Sequence, residues 1–134
     1  MKHNLVLHHI GLATDDMAQT QKYLNQFFNF TEISDEIYDP HQDAKLCMLT
    51  AADGTRIELI EGEVVRNYIK KRNFIYHVCY ESKDLNETMN DFIKEGGMLV
   101  SEPKEAPLFG NRKVAFLMTE MGLIELLEKE IEMI

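Results

Sequence analysis

His9-Ile10-Gly11-Leu12-Ala13-Thr14-Asp15-Asp16 returns half a chain later as His77-Val78-Cys79-Tyr80-Glu81-Ser82-Lys83-Asp84. Both stretches begin with a His, continue with apolar residues, and close on hydroxyl and acidic residues of the kind that start helices. A second pair keeps nearly the same spacing: Ile57-Glu58-Leu59-Ile60-Glu61 and Ile124-Glu125-Leu126-Leu127-Glu128. Half of the 134-residue length separates the copies, so the chain reads as a duplication. Each copy contributes one His and one Glu on a strand-like run. That pattern predicts one site shared by two related halves.

Outward from these stretches, the elements fall in the same order twice. Leu5 to Ala13 reads as a strand, and Thr14, Asp15 and Asp16 open a helix. Met17, Thr20, Leu24, Phe27 and Phe28 keep helical spacing to about Asn29. Thr31 to Tyr38 reads as a strand and Asp39 to Asp43 as a loop. Ala44 to Thr50 and Thr55 to Glu61 read as a hairpin around Asp53-Gly54. Gly62 to Asn73 is a linker with a short helix. In the second half, Phe74 to Glu81 is a strand, and Leu85, Met89, Phe92 and Ile93 mark a helix that stops at Gly96-Gly97. Met98 to Ser101, Lys113 to Thr119 and Gly122 to Leu127 complete the strands. Glu102 to Arg112 reads as a ligand-handling loop, and the end from Glu128 as a fraying terminus. The class is α+β, with residues 1–134 as one domain, two βαβββ modules (1–62 and 73–134) and a helical linker.

The composition is 45% hydrophobic and 28% charged, ordinary for a globular chain long enough to bury a core. A net charge of −9 excludes general nucleic-acid binding, which relies on basic surface. No apolar run approaches the roughly 18 residues of a membrane span, and the start lacks a signal-peptide layout. A cytoplasmic location follows as the expectation. Cys47 and Cys79, far apart, read as buried free thiols.

Strand side chains alternate between faces. Glu58 and Glu125 sit within apolar runs, where an isolated carboxylate costs several kcal/mol to bury. A divalent metal removes that cost, and two imidazoles with two carboxylates form a suitable seat. His9, Glu58, His77 and Glu125 are therefore the candidate ligands. Without thiolate, the set points to a catalytic centre with room for water, holding Zn, Ni, Co or Mn. Taken singly, each residue has a plainer role: a strand-start His is hydrogen-bonded, and a strand Glu pairs with a cation, Arg56 in the case of Glu58. The duplication in register favours the metal. His8 points away from His9 and reads as a surface or interface residue, while His3 is near the terminus and His41 lies in a loop. Lys70-Lys71-Arg72 and Arg112-Lys113 read as solvated charge able to meet a phosphate. Nucleotide-binding glycine motifs and a serine nucleophile elbow are absent.

His9-Ile10-Gly11, Ile57-Glu58-Leu59, His77-Val78-Cys79 and Ile124-Glu125-Leu126 resemble the signatures of the vicinal oxygen chelate superfamily, the glyoxalase and bleomycin-resistance fold. The resemblance covers nearly the whole chain. It implies two βαβββ modules forming a cupped, eight-stranded mixed sheet around a central metal, with His9, Glu58, His77 and Glu125 at the ligand places. Asn111 to Leu117, followed by Gly122 to Leu126, looks most like the methylmalonyl-CoA epimerase members. The complete His/Glu/His/Glu set is also similar to bacterial lactoylglutathione lyase. Either likeness implies proton transfer next to a carbonyl, with a divalent ion as electrophile and Glu125 and Glu58 as base and acid. The substrate is then an acyl-CoA thioester or a thiol hemithioacetal, and the assembly a homodimer. Metal-free drug binders of the bleomycin-resistance type lack this ligand set, and the oxygenases and fosfomycin-modifying transferases use three ligands.

Overall fold

The computed structural model describes residues 2–130. The chain divides into two compact units: His9–Tyr76 is the central one, and the residues up to His8 with those from His77 onward form the flanking one. Among the described residues no helix is long and apolar enough to cross a membrane.

In the central unit, β1 (Val6–Thr14, from His9 on) leads through helix α1 (Met17–Leu24) to β2 (Phe30–Ile33) and β3 (Ile37–Asp39). The strands β4 (Ala44–Ala51) and β5 (Arg56–Gly62) follow, then a 3-10 turn and helix α2 (Arg66–Lys70) in the linker. The strand order is β2-β4-β5-β1, with β3 paired to β4. β1 and β5 are parallel, which requires the crossover that α1 begins; the remaining pairs are antiparallel.

The flanking unit repeats the plan with β6 (Ile75–Ser82, from His77 on), α3 (Leu85–Lys94), β7 (Met98–Ala106), β8 (Arg112–Thr119) and β9 (Gly122–Glu128). Its order is β6-β9-β8-β7, with β6 and β9 parallel. The flanking unit is a βαβββ module with a mixed sheet, and the central unit follows the same plan with one further short strand, β3.

The helix starts repeat down to single atoms. Asp16 caps α1 by accepting from the Gln19 amide at 3.1 Å, and Asp84 caps α3 by accepting from the Glu87 amide at 3.0 Å. The hydroxyls of Thr14 and Thr20 meet at 2.7 Å, and those of Ser82 and Thr88, at the matching places, at 2.6 Å. Each helix covers one face of its sheet. Met17 of α1 packs with Cys47, Leu49, Ile57 and Leu59; Leu85 of α3 packs with Ala115, Leu117, Ile124 and Leu126. Burying each such Leu or Ile contributes about 1.5–3 kcal/mol. Ile57 and Leu59 thus face α1, which turns Glu58 to the other face; Ile124 and Leu126 do the same for Glu125.

Four expectations need correction. α1 ends at Leu24, and turn hydrogen bonds carry the chain through Phe27, which is 70% exposed. The reason is that Phe30 must pair with Ala51 at the start of β2. The run from Thr31 to Tyr38 is two strands, which makes nine among the described residues rather than eight. Ser34 divides them: its hydroxyl accepts from the Met48 amide at 2.8 Å, so a side chain replaces a backbone group in the ladder. Most of the proposed loop from Glu102 is strand, because β7 continues to Ala106 with register shifts on both sides of Ser101. Pro103 falls within the second shift, where a missing amide is tolerated. The turn that remains is Pro107 to Asn111. Finally, Glu128 closes β9 instead of starting a frayed end, and residues 131–134 lie outside the described ones.

Candidate metal centre

In the central unit the register of the parallel pair sets Gly11 of β1 opposite Glu58 of β5. His9, two residues before Gly11, shares its face. The His9 Nε2 consequently lies 3.5 Å from Glu58 Oε1. In the flanking unit Cys79 stands opposite Glu125, and His77 is again two residues before it. The His77 Nε2 lies 3.2 Å from Glu125 Oε1. One parallel register and one alternation rule thus operate twice, once in each unit.

All four are inside the protein: His9 and Glu58 are 1% exposed, His77 and Glu125 2%. A carboxylate this enclosed carries a desolvation cost that a bound cation would offset. Each side chain offers one imidazole nitrogen or carboxylate oxygen of the kind divalent ions take. The donor chemistry of each pair therefore fits a divalent metal.

The surroundings of the two Glu differ. Met48 of β4 is the register partner of Glu58, and Phe116 of β8 that of Glu125. The rings of Phe116 and His77 meet in a T-shaped contact, with centroids 5.4 Å apart and planes at 86°. Cys79, Ala106, Val114, Phe116 and Leu127 form an apolar cluster there, against which Phe109 and Leu123 pack. Sequence reading missed Phe116 and Phe109 as residues of this face. The alternation on β8 carried the signal for Phe116.

Other side chains depart from expectation. His8 is 8% exposed, and its ring meets Phe109 edge-on at 5.4 Å, so it is no surface residue. The turn after β7 supplies that cover, which strand alternation alone does not reveal. His3 bonds Asp91 of α3 through Nε2 at 2.7 Å, fastening the first residues to that helix. His41 is exposed, and both cysteines are buried outside any disulfide. Arg112 is committed internally: it reaches Glu81 Oε2 at 3.1 Å and donates to the carbonyls of Phe109 and Glu128, each at 3.3 Å. That pins the Pro107–Phe109 turn and counts against a phosphate-binding role. Lys70 lines a cavity of about 510 Å³ with Arg66, Glu61, Glu63 and Asp15, while Lys71 and Arg72 are exposed.

A family model described as Glyoxalase/Bleomycin resistance protein/Dioxygenase superfamily matches residues 8–116. No curated protein matches the sequence. Among solved structures, the chain is similar to the hypothetical protein BH1468 of Bacillus halodurans, with a TM-score of 0.74 and 23% identity over 98% of this chain and 99% of that one. It is also similar to methylmalonyl-CoA epimerase of Mycobacterium tuberculosis, with a TM-score of 0.78 and 20% identity over 93% of this chain and 88% of that one. A third is 2,2',3-trihydroxybiphenyl 1,2-dioxygenase of Sphingomonas wittichii, with a TM-score of 0.64 and 17% identity over 96% of this chain and 44% of that one. At such identities the likeness is one of fold.

Proposed function

We propose that this chain, which belongs to the glyoxalase, bleomycin resistance protein and dioxygenase superfamily, is a divalent-metal-dependent isomerase that moves a proton on the carbon next to a carbonyl. One observation carries the reading: each unit buries a His–Glu pair at the same place of a duplicated module. In the proposal His9, Glu58, His77 and Glu125 serve one ion, Zn, Ni, Co or Mn, in a single domain. The bound ion supplies Lewis-acid stabilisation of charge that develops on substrate oxygen.

The chain's own groups handle the proton. A carboxylate oxygen of one Glu takes it from carbon, and a carboxylate oxygen of the other returns one. A Glu from each repeat suits exchange at two faces of a carbon centre. The apolar cluster beside Glu125 keeps water from the reacting groups. The best substrate is an acyl-CoA thioester of the methylmalonyl type, supported by the Asn111 to Leu126 stretch and by the epimerase among the fold relatives. The complete ligand set supports a second reading, a lactoylglutathione lyase acting on a thiol hemithioacetal. A metal-free binding protein of the bleomycin-resistance type is the remaining alternative. A cytoplasmic homodimer completes the proposal, and light scattering on the purified chain tests the dimer.

Metal analysis and deuterium exchange decide among these. The metal-loaded chain is expected to wash deuterium into the α-carbon of methylmalonyl-CoA. Turnover of methylglyoxal with a small thiol, without that exchange, would replace the epimerase by the lyase. Absence of both activities and of metal would leave the binding protein.

A further inference from the structure

Within the flanking unit, β8 and β9 alternate between two faces. Ala115, Leu117, Ile124 and Leu126 pack with Leu85 of α3, while Val114, Phe116 and Leu127 gather on the opposite face, to which Glu125 also turns. Leu123 and Met118 are register partners on that same face, and Met98 of β7 is the register partner of Met118. The three side chains form one row across β9, β8 and β7, roughly 7 Å along the strand from Glu125. Exposure climbs along it: Glu125 is 2% exposed, Leu123 is partly buried against the cluster of Phe116 and Cys79, Met118 is 40% exposed and Met98 69%. Scattered exposed apolar residues are ordinary, but an unbroken apolar row that starts beside a buried carboxylate is not. The repeated plan does not itself demand such a row, because the register partners at the corresponding place of the central unit are Glu32, Thr50 and Arg56.

Resting on the reading above, which brings the reacting carbon to Glu125, we propose that Leu123, Met118 and Met98 bind the aliphatic arm carried by the sulfur of the substrate and lead it out to solvent. The gradient of exposure assigns this end of the substrate. The acyl group must meet Glu125 where water is excluded, whereas the arm of a thioester or hemithioacetal has to leave the protein, because its far end is large and polar. Methylene groups leaving water against the row contribute binding without fixing one geometry. Two unbranched, polarisable thioether side chains adapt to arms of different shape. The ligand class is a thioester or hemithioacetal whose sulfur bears several methylenes before its first charged group. The row lies wholly on the flanking unit.

The test uses two isomeric thioesters of equal carbon content, the propionyl thioester of pentanethiol and the hexanoyl thioester of ethanethiol. Calorimetry on the Co²⁺-loaded chain is expected to show the pentyl isomer bound about tenfold more tightly, the effect of a few methylenes taken from water. Met98→Gln combined with Met118→Gln, which keeps side-chain length, removes the preference and leaves Co²⁺ affinity unchanged. Met118→Leu keeps the preference, and so does Met121→Gln, which alters an exposed methionine in the turn between β8 and β9. Equal binding of the isomers, tighter binding of the hexanoyl one, or a preference that survives the double variant overturns the inference. Loss of Co²⁺ affinity in the double variant overturns it too, by making the row a support for Glu125. A lower molar mass of the double variant in light scattering, with both isomers bound alike by the native chain, would give the row to a contact between two copies. The same pair of isomers is measured on the metal-free chain. Failure to bind Co²⁺ removes the metal reading, and a pentyl preference persisting there still upholds the row.

Discussion

Phe116 meets His77 edge to face, 5.4 Å between centroids, while standing opposite Glu125 in the antiparallel register. One aromatic side chain thus packs on both members of a buried His–Glu pair. A T-shaped contact is a favoured aromatic arrangement, and its packing limits the rotation of the imidazole. Phe116→Ala is expected to destabilise the protein by about 3–5 kcal/mol, as deletion of a buried aromatic does. Phe116→Leu should recover most of that stability yet leave His77 less ordered. Denaturant melts and the His77 ring signals in NMR spectra report the two effects separately.

Glu125→Gln and Glu58→Gln preserve volume and remove the base. Each variant is expected to keep native circular dichroism and to lose at least about a hundredfold in α-proton exchange, the usual contribution of a general base. Full exchange in Glu125→Gln would take that residue out of the proton path.

The helix caps offer a test of the duplication at the level of stability. Asp16 and Asp84 make the same bond to the amide three residues on. Asp16→Ala and Asp84→Ala are each expected to cost about 1 kcal/mol, with Asn at either place restoring most of it. Chemical denaturation of the four variants measures this.

The difference between what was legible and what was not follows from the reach of the interactions. The alternation of strands and helix in each half, both caps and the recurrence of one His and one Glu per half depend on local spacing, so the sequence displays them. Ser34 splits a predicted strand because its hydroxyl takes the Met48 amide from another strand. His8 packs on Phe109, whose carbonyl accepts from Arg112 while the same guanidinium reaches Glu81 and the Glu128 carbonyl. Glu102 to Ala106 reads as loop by its Pro and charges, yet pairs with β8 through a shifted register. Each of these depends on a partner far along the chain, and local composition is silent about it.

Cys47 gives a pH-dependent readout. Burial pushes its thiol above the ordinary range, the Ser34 hydrogen bond opposes this, and the nearby Glu36 and Asp35 charges reinforce it. The folded state thereby favours the neutral thiol. Its contribution to stability is complete below the thiol range of the unfolded chain and is lost as pH rises through the raised value. In a Cys79→Ala background, labelling by a thiol-specific disulfide reagent at neutral pH is expected to be far slower than in urea. Alkaline pH should bring a fall in melting temperature that Cys47→Ala reduces. Rapid labelling of the folded protein at neutral pH would contradict the buried, neutral thiol.

Metal removal tests the two pairs together. An ion that binds the folded chain alone stabilises it by about 2.7 kcal/mol at a hundredfold excess over Kd. For a chain of this size that raises Tm by roughly 10 °C. Calorimetric scans with Zn²⁺, Ni²⁺, Co²⁺ and Mn²⁺ are expected to show such a rise for at least one ion, reversed by a chelator. If both pairs serve one ion, His9→Ala and His77→Ala each abolish the rise, and the double variant behaves like either single one. Two independent sites would instead leave about half of the effect in each single variant. An unchanged Tm with every ion would leave Glu58 and Glu125 held by hydrogen bonds alone.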